Sequence, residues 1–156
     1  MKRIKVKKGT VLQEFGELNT KVYHVVSGLL RSYTLDQKGK EHIFMFGPEG
    51  WVVGDNVTPD LPCELYIDAI EDSVVYVLPK DVNRENKNAA AFIKRLGVLQ
   101  KRVILLMSAS AIERYEHFEK TYPDIMSRVT QKMIASYLGI TPEALSTLKK
   151  ERLKKK

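Results

Sequence analysis

A chain of 156 residues accommodates one ordinary domain, or a mid-sized domain with a small appendage. An apolar content of 44% supports a real core, and the formal charge is +7. Cys63 is the single cysteine, so no internal disulfide forms. No apolar signal core opens the chain and no apolar run is long enough to cross a bilayer, which predicts a cytoplasmic protein without a membrane partner.

Residues 4–79 read as a run of short strands. Val22–Val26, Leu29–Leu35, His42–Phe46 and Val74–Leu78 are rich in β-branched and aromatic side chains. Turn signals separate them: Ser27-Gly28, Asp36-Gln37-Lys38-Gly39, Gly47-Pro48-Glu49-Gly50 and Glu71-Asp72-Ser73. Many short strands at this spacing suggest a small antiparallel barrel or roll, either a scaffold or a ligand holder.

Past Pro79 the pattern changes. From Asn88 to about Lys120 there is neither proline nor a turn cluster, and good helix formers dominate. Phe92, Leu96, Leu99, Val103 and Leu106 form a heptad seam, suited to packing along a partner helix. Ile93, Ile104, Leu105, Met107 and Ile112 widen the apolar surface beyond one stripe. Periodicity alone allows a core helix of the same domain equally well; a homodimer seam is the favoured expectation. Tyr122-Pro123 ends this helix.

The stretch from Thr130 to Lys156 reads as two short helices joined by a tight turn. Met133, Ile134, Tyr137 and Leu138 have helical spacing, Thr130 is an N-cap, and Gly139 suits a left-handed exit. Thr141-Pro142-Glu143 opens the second helix with a cap, a proline at its first position and a carboxylate near the positive end. Leu145 and Leu148 carry its buried stripe, and the small Ala135 allows a close crossing. Such a pair is a helix-turn-helix, whose second helix enters the major groove of double-stranded DNA. Charge agrees: residues 125–156 hold eight Lys/Arg against two Glu, whereas the remaining chain holds 18 basic and 17 acidic residues. Phosphate neutralisation requires such a distribution.

With these elements in order, the chain resembles the Crp/Fnr-type transcriptional regulators, most of all the branch common among Bacteroidetes-type bacteria. The segments that carry the resemblance are VYHVVSGLLRSY (22–33), GKEHIFMFGPEGWVVGD (39–55), AIEDSVVYVL (69–78), SASAIERYEHFEKTYPDI (108–125) and IASYLGITPEALS (134–146). The resemblance implies an α+β fold: a cyclic-nucleotide-binding-like jelly roll over 1–87, a dimerisation helix over 88–121, and a helix-turn-helix over 122–156. It implies DNA contacts from Thr130, Gln131, Thr141, Glu143, Ser146, Thr147, Lys149 and Lys150. The roll and long helix would set the spacing and tilt of two such readers, with a small-molecule effector as a further partner. Three departures stand out. The roll begins almost at Met1, without the family's preceding helix. The chain given stops at Lys156, so the β-hairpin wing is expected to be absent or replaced by the Lys-rich tail. Thr147 stands where relatives commonly carry an arginine, so base readout is expected to be weaker or differently specified.

The family's phosphate cassette, Gly-Glu followed by an Arg and a small residue, matches Gly54-Asp55 through Cys63-Glu64-Leu65. Its acid is shortened to Asp55, and Cys63 falls at the Arg position. Eight acidic residues and no Lys or Arg lie between Lys40 and Lys80. A cyclic phosphate needs a cationic or amide-rich cradle, so the roll is expected not to bind cyclic AMP unless a basic residue arrives from elsewhere in the fold. Trp51 either lines the pocket or fills the core, and the core is the favoured expectation. One cysteine cannot hold an iron–sulfur cluster, and His24, His42 and His117 lack metal-ligand spacing with it, so no cofactor or metal is expected. No nucleotide loop or nucleophile–base set suggests an enzyme. The alternative reading is a ligand-binding or protein-interaction module whose DNA-binding segment is vestigial.

Overall fold

The computed structural model describes residues 1–80 and 89–154. They fall into two compact units, Met1–Val82 and Asn83–Lys156. The first is a jelly roll of eight strands: β1 (Lys2–Val6), β2 (Val11–Gln13), β3 (Lys21–Ser27), β4 (Leu30–Leu35), β5 (Glu41–Gly47), β6 (Val52–Val53), β7 (Tyr66–Ala69) and β8 (Ser73–Pro79). They pair antiparallel in two four-stranded sheets of order β1-β8-β3-β6 and β2-β7-β4-β5. The chain therefore passes repeatedly from one sheet to the other, which is how a double-sheet roll limits open edges. The four strands expected from β-branched runs are β3, β4, β5 and β8. The other four were not individually legible, because they are short or carry charges on the outward face. Lys2, Arg3 and Lys5 of β1 are exposed while Val6 is buried.

Alternating residues from both sheets build the roll's interior. Val6, Tyr23, Val25, Leu30, Val53, Ile67, Ala69 and Val75 form one buried cluster, flanked by Ile4, Leu12, Met45 and Val77. The Tyr23 hydroxyl donates to the Leu12 carbonyl at 2.7 Å, so its polar end is satisfied within that core.

The second unit is helical: α1 (Ala89–Ser108), α2 (Ala111–Thr121), α3 (Gln131–Leu138) and α4 (Pro142–Lys154). The single helix expected from Asn88 to Lys120 is in fact two. Ser110 interrupts it: its hydroxyl accepts from the Glu113 amide, and the Glu113 carboxylate accepts from the Ser110 amide at 2.7 Å. This reciprocal capping box starts a new helix at Ala111. The Ser-x-x-Glu signal was present in the sequence, hidden because no proline or glycine accompanied it. Within the unit, the rings of Phe118, Tyr122 and Tyr137 lie 5.1–5.6 Å apart and lock α2 to α3. Among the described residues, no helix is long and apolar enough to cross a membrane.

One turn tests the roll's tolerances. Gly28, between β3 and β4, has a φ of 88°, and a Cβ there would sit 2.7 Å from the Asp72 carbonyl oxygen and against Ser73. Gly39 has a φ of 72° but open space around it. Gly39→Ala should therefore cost about 1 kcal/mol, for the left-handed backbone alone. Gly28→Ala should cost roughly 2–3 kcal/mol, because backbone must also move. Urea midpoints of the two variants at unchanged m-value check the ranking.

Candidate nucleic-acid interface and roll cassette

The α3–α4 pair is built by its caps. The Thr130 hydroxyl accepts from the Met133 amide at 3.2 Å, and Gly139 leaves α3 in the left-handed region at φ 68°, ψ 33°. The Ile140 amide donates back to the Ala135 carbonyl at 3.1 Å, closing the turn. Thr141 then caps α4 by accepting from the Ala144 amide at 3.2 Å, with Pro142 at the first helical position. Ile134, Ala135, Tyr137 and Leu138 of α3 and Leu145 and Leu148 of α4 are buried, so the two helices share one small core. Ala135 has no side chain beyond Cβ to hold them apart.

The opposite face is open. Thr130, Gln131, Thr141, Glu143, Ser146, Thr147 and Lys150 are all exposed, so all but one of the expected contact residues lie accessible on the two helices. Lys149 is the exception. It is half-buried, its ammonium donates to Gln131 Oε1 at 2.7 Å, and it lies 5.7 Å from the Tyr115 ring centroid. The Thr147 hydroxyl donates to the Glu143 carbonyl one turn earlier, at 3.1 Å. Its own amide and the Thr141 hydroxyl hold the Glu143 carboxyl below the usual range. Glu143 is therefore a ready acceptor on this face at neutral pH.

Sequence reading missed the residues of α2 that grip this pair from behind. Arg114 donates from Nη1 to the Leu138 carbonyl at 2.9 Å, placing a cation at the C-terminal end of α3. Arg152 near the end of α4 pairs with Glu119 at 2.6 Å, and its guanidinium carbon lies 5.4 Å from the Tyr115 ring centroid. No local signal announces contacts across such sequence separations.

The roll's cassette region holds a different chemistry. Gly54 and Cys63 are buried, Leu65 is half-buried and Glu64 is exposed. Trp51 is half-buried and outside the buried cluster, not a core side chain as expected. The Cys63 thiol, at the position matched to Arg, donates to the Glu14 carbonyl at 2.8 Å. Burial, the largest cause, raises its pKa.

A basic residue does reach the acidic cassette. Lys80, at the end of the roll, pairs with Asp55, and the two side chains are only 4% and 3% exposed. Its ammonium also donates to Thr20 Oγ1 at 2.6 Å and to the Val57 carbonyl at 2.9 Å. Three protons thus meet three acceptors. Gln13 Nε2 completes the set by donating to Asp55 Oδ2 at 3.0 Å and to the Leu65 carbonyl at 2.7 Å. A second buried cation, Arg31 on β4, is likewise engaged: Nε and Nη2 meet Asp68 at 2.8 and 2.9 Å, and Nη1 meets Glu41 at 2.7 Å. Burial opposes its charge, but Asp68 and Glu41 more than offset this and raise its pKa. Both cations already have carboxylate partners.

The comparisons with known proteins agree with this architecture. Residues 3–85 match the model of the cyclic nucleotide-binding domain. The chain belongs to the cyclic nucleotide-binding domain family. Beyond that domain, the likeness extends into the helices: the chain is 28% identical to the fumarate and nitrate reduction regulatory protein of Yersinia pestis, over 92% of this chain and 65% of that protein. It spans 60–68% of the length of the curated relatives it matches, and 65% or less of most of them. Among solved structures, FixK2 from Bradyrhizobium japonicum superposes with a TM-score of 0.83 at 24% identity, covering 99% of this chain and 85% of that one. A CRP/FNR-family transcriptional regulator from Thermus thermophilus gives 0.81 at 17% identity, covering 99% and 87%. The fold is thus that of Crp/Fnr-type regulators, a jelly roll with a C-terminal helix-turn-helix.

The buried Lys80–Asp55 pair makes a stability prediction. Lys80→Met or Asp55→Asn alone leaves an uncompensated polar or charged group and should cost about 3–5 kcal/mol. The double variant should recover most of that loss, because both charges go together. A double-mutant cycle by urea unfolding measures it; independent, additive losses would show that the pair is not coupled.

Proposed function

We propose that this chain is a DNA-binding transcription regulator of Crp/Fnr type, reading DNA as a homodimer in the cytoplasm and catalysing no reaction. The observation that carries the reading is the exposed polar and basic face of α4, capped at Thr141 and backed by a shared core with α3. Thr141, Glu143, Ser146 and Thr147 are the base-edge and phosphate partners at the front of the helix. Lys150 follows as a phosphate partner, and Thr130 and Gln131 contribute from the start of α3. Glu143 accepts from a cytosine amino group in the major groove. The names of the curated relatives, which are regulatory proteins, support the same role.

A second copy is the occupant of the apolar face of α1. Leu96, Val103 and Leu106 of the heptad seam are exposed, with Ile93, Ile104 and Met107 beside them, and Leu99 is half-buried. The side chain of Phe92, the first residue of the seam, lies outside the described residues. Six exposed apolar side chains on one side of a helix are costly in water unless something covers them. In functional terms the chain then divides into a roll over 1–87, a dimerisation segment over 88–121 and a reader over 122–156.

The roll in this reading does not take cyclic AMP. Asp55 and Lys80 neutralise one another where the family's phosphate cassette lies, and Cys63 offers no cation. A different small molecule would regulate only through unequal affinity for two arrangements of the readers.

Fluorescence anisotropy on DNA from the protein's own promoter region tests the proposal. Binding should resist unrelated competitor DNA and prefer a palindrome. Lys150→Gln should lower the slope of log affinity against log salt by about one. Glu143→Ala should relax discrimination at one base pair by roughly 1–3 kcal/mol. Displacement by unrelated DNA as readily as by the promoter would favour the interaction-module reading instead.

A further inference from the structure

The recognition helix carries four basic residues in its second half, Lys149, Lys150, Arg152 and Lys154, and they do not share one environment. Arg152 lies seven residues after Leu145 and four after Leu148, hence on the buried side of α4. Its guanidinium is drawn toward α2, where Glu119 accepts at 2.6 Å. Tyr115 is four residues before Glu119 on the same face of α2, and its ring lies near both Arg152 and Lys149. The Arg152 and Glu119 side chains are 32% and 33% exposed, which places the contact at the margin of the helical unit's core.

We propose that Glu119, an acid outside the two-helix reader, is a positioning residue for DNA recognition, and that Arg152 is its clamp partner and not a phosphate ligand. The inference rests on the DNA-reading proposal above. Two contacts from one short helix then define the reader's geometry. Arg114 and Phe118 hold α3, while Tyr115 and Glu119 hold the C-terminal half of α4. Without Glu119, α4 keeps Leu145, Leu148 and the Tyr115 ring but loses the ionic tie of Arg152 to α2, and the outward residues lose part of their register on the groove.

This assignment predicts an effect opposite in sign to simple electrostatics. A carboxylate near a DNA-binding surface repels phosphate, so its removal should tighten binding, most of all at low salt. A clamp predicts the reverse. Glu119→Gln should weaken promoter binding by roughly twofold to fivefold, the ratio that a partly exposed ion pair carries, at low and high salt alike. Glu119→Asp keeps the charge but shortens the reach, and should weaken binding similarly. Arg152→Gln should also weaken binding while leaving the salt slope unchanged, in contrast to Lys150→Gln, which lowers it by about one.

The experiment is a salt titration of anisotropy with full-length wild-type, Glu119→Gln, Glu119→Asp, Arg152→Gln and Lys150→Gln proteins. The charge-swapped double variant Glu119→Arg with Arg152→Glu serves as the rescue. Recovery of at least half of the lost log affinity in the swap, with the slope of Arg152→Gln unchanged, supports the clamp. Glu119→Gln binding as tightly as wild type or tighter overturns it, as does a slope that falls by about 0.9 in Arg152→Gln. If wild-type protein itself shows no promoter preference, the DNA-reading proposal fails instead, and the two failures are distinguishable.

Discussion

The helix α4 is held by very little of itself. Most of its circumference is polar and open to solvent, so only a narrow stripe is buried. In α4 that stripe is Leu145 and Leu148, two side chains in a helix of 13 residues. An isolated helix of that length is marginal in water. Its stability and direction must therefore come from neighbours: the shared core with α3, the Thr141 cap, and the grip of α2 through Tyr115 and Glu119. The aromatic cluster of Phe118, Tyr122 and Tyr137 makes α2 rigid against α3, so that grip has a firm base.

Charge is handled in opposite ways in the two units. The roll keeps its buried ions paired internally: Lys80 with Asp55, and Arg31 with Asp68 and Glu41. Buried pairs of this kind add little net stability, because desolvation offsets much of the attraction, but each partner becomes indispensable to the other. In the helical unit, Lys150 and Lys154 of α4 face solvent. Counting basic residues along α4 overstates the charge it presents outward, since Arg152 and Lys149 are turned toward the protein's own side chains.

The roll's polar interior is built from groups that satisfy one another. Asp55 would be isolated in the interior without a cation, and Lys80, directly after β8, supplies one: its three donors are matched by Asp55, Thr20 and the Val57 carbonyl. This polar cluster serves the fold's own charges.

By itself the sequence determined the order of the elements and the chemistry at their ends, because those are local. The β-branched runs of 22–35 and 74–78, the Thr130 cap, the left-handed Gly139 and the Thr141-Pro142 start are all set by neighbours within one turn. It also carried the capping box at Ser110 that divides α1 from α2, although the run of helix formers on both sides concealed it. Tertiary structure alone decided which charges meet. Lys80 and Asp55 are 25 residues apart, and Arg152 and Glu119 are 33 apart. Nothing in the spacing of a lysine or a glutamate says which distant residue will face it. That depends on how two sheets close over a core and how one helix lies across two others.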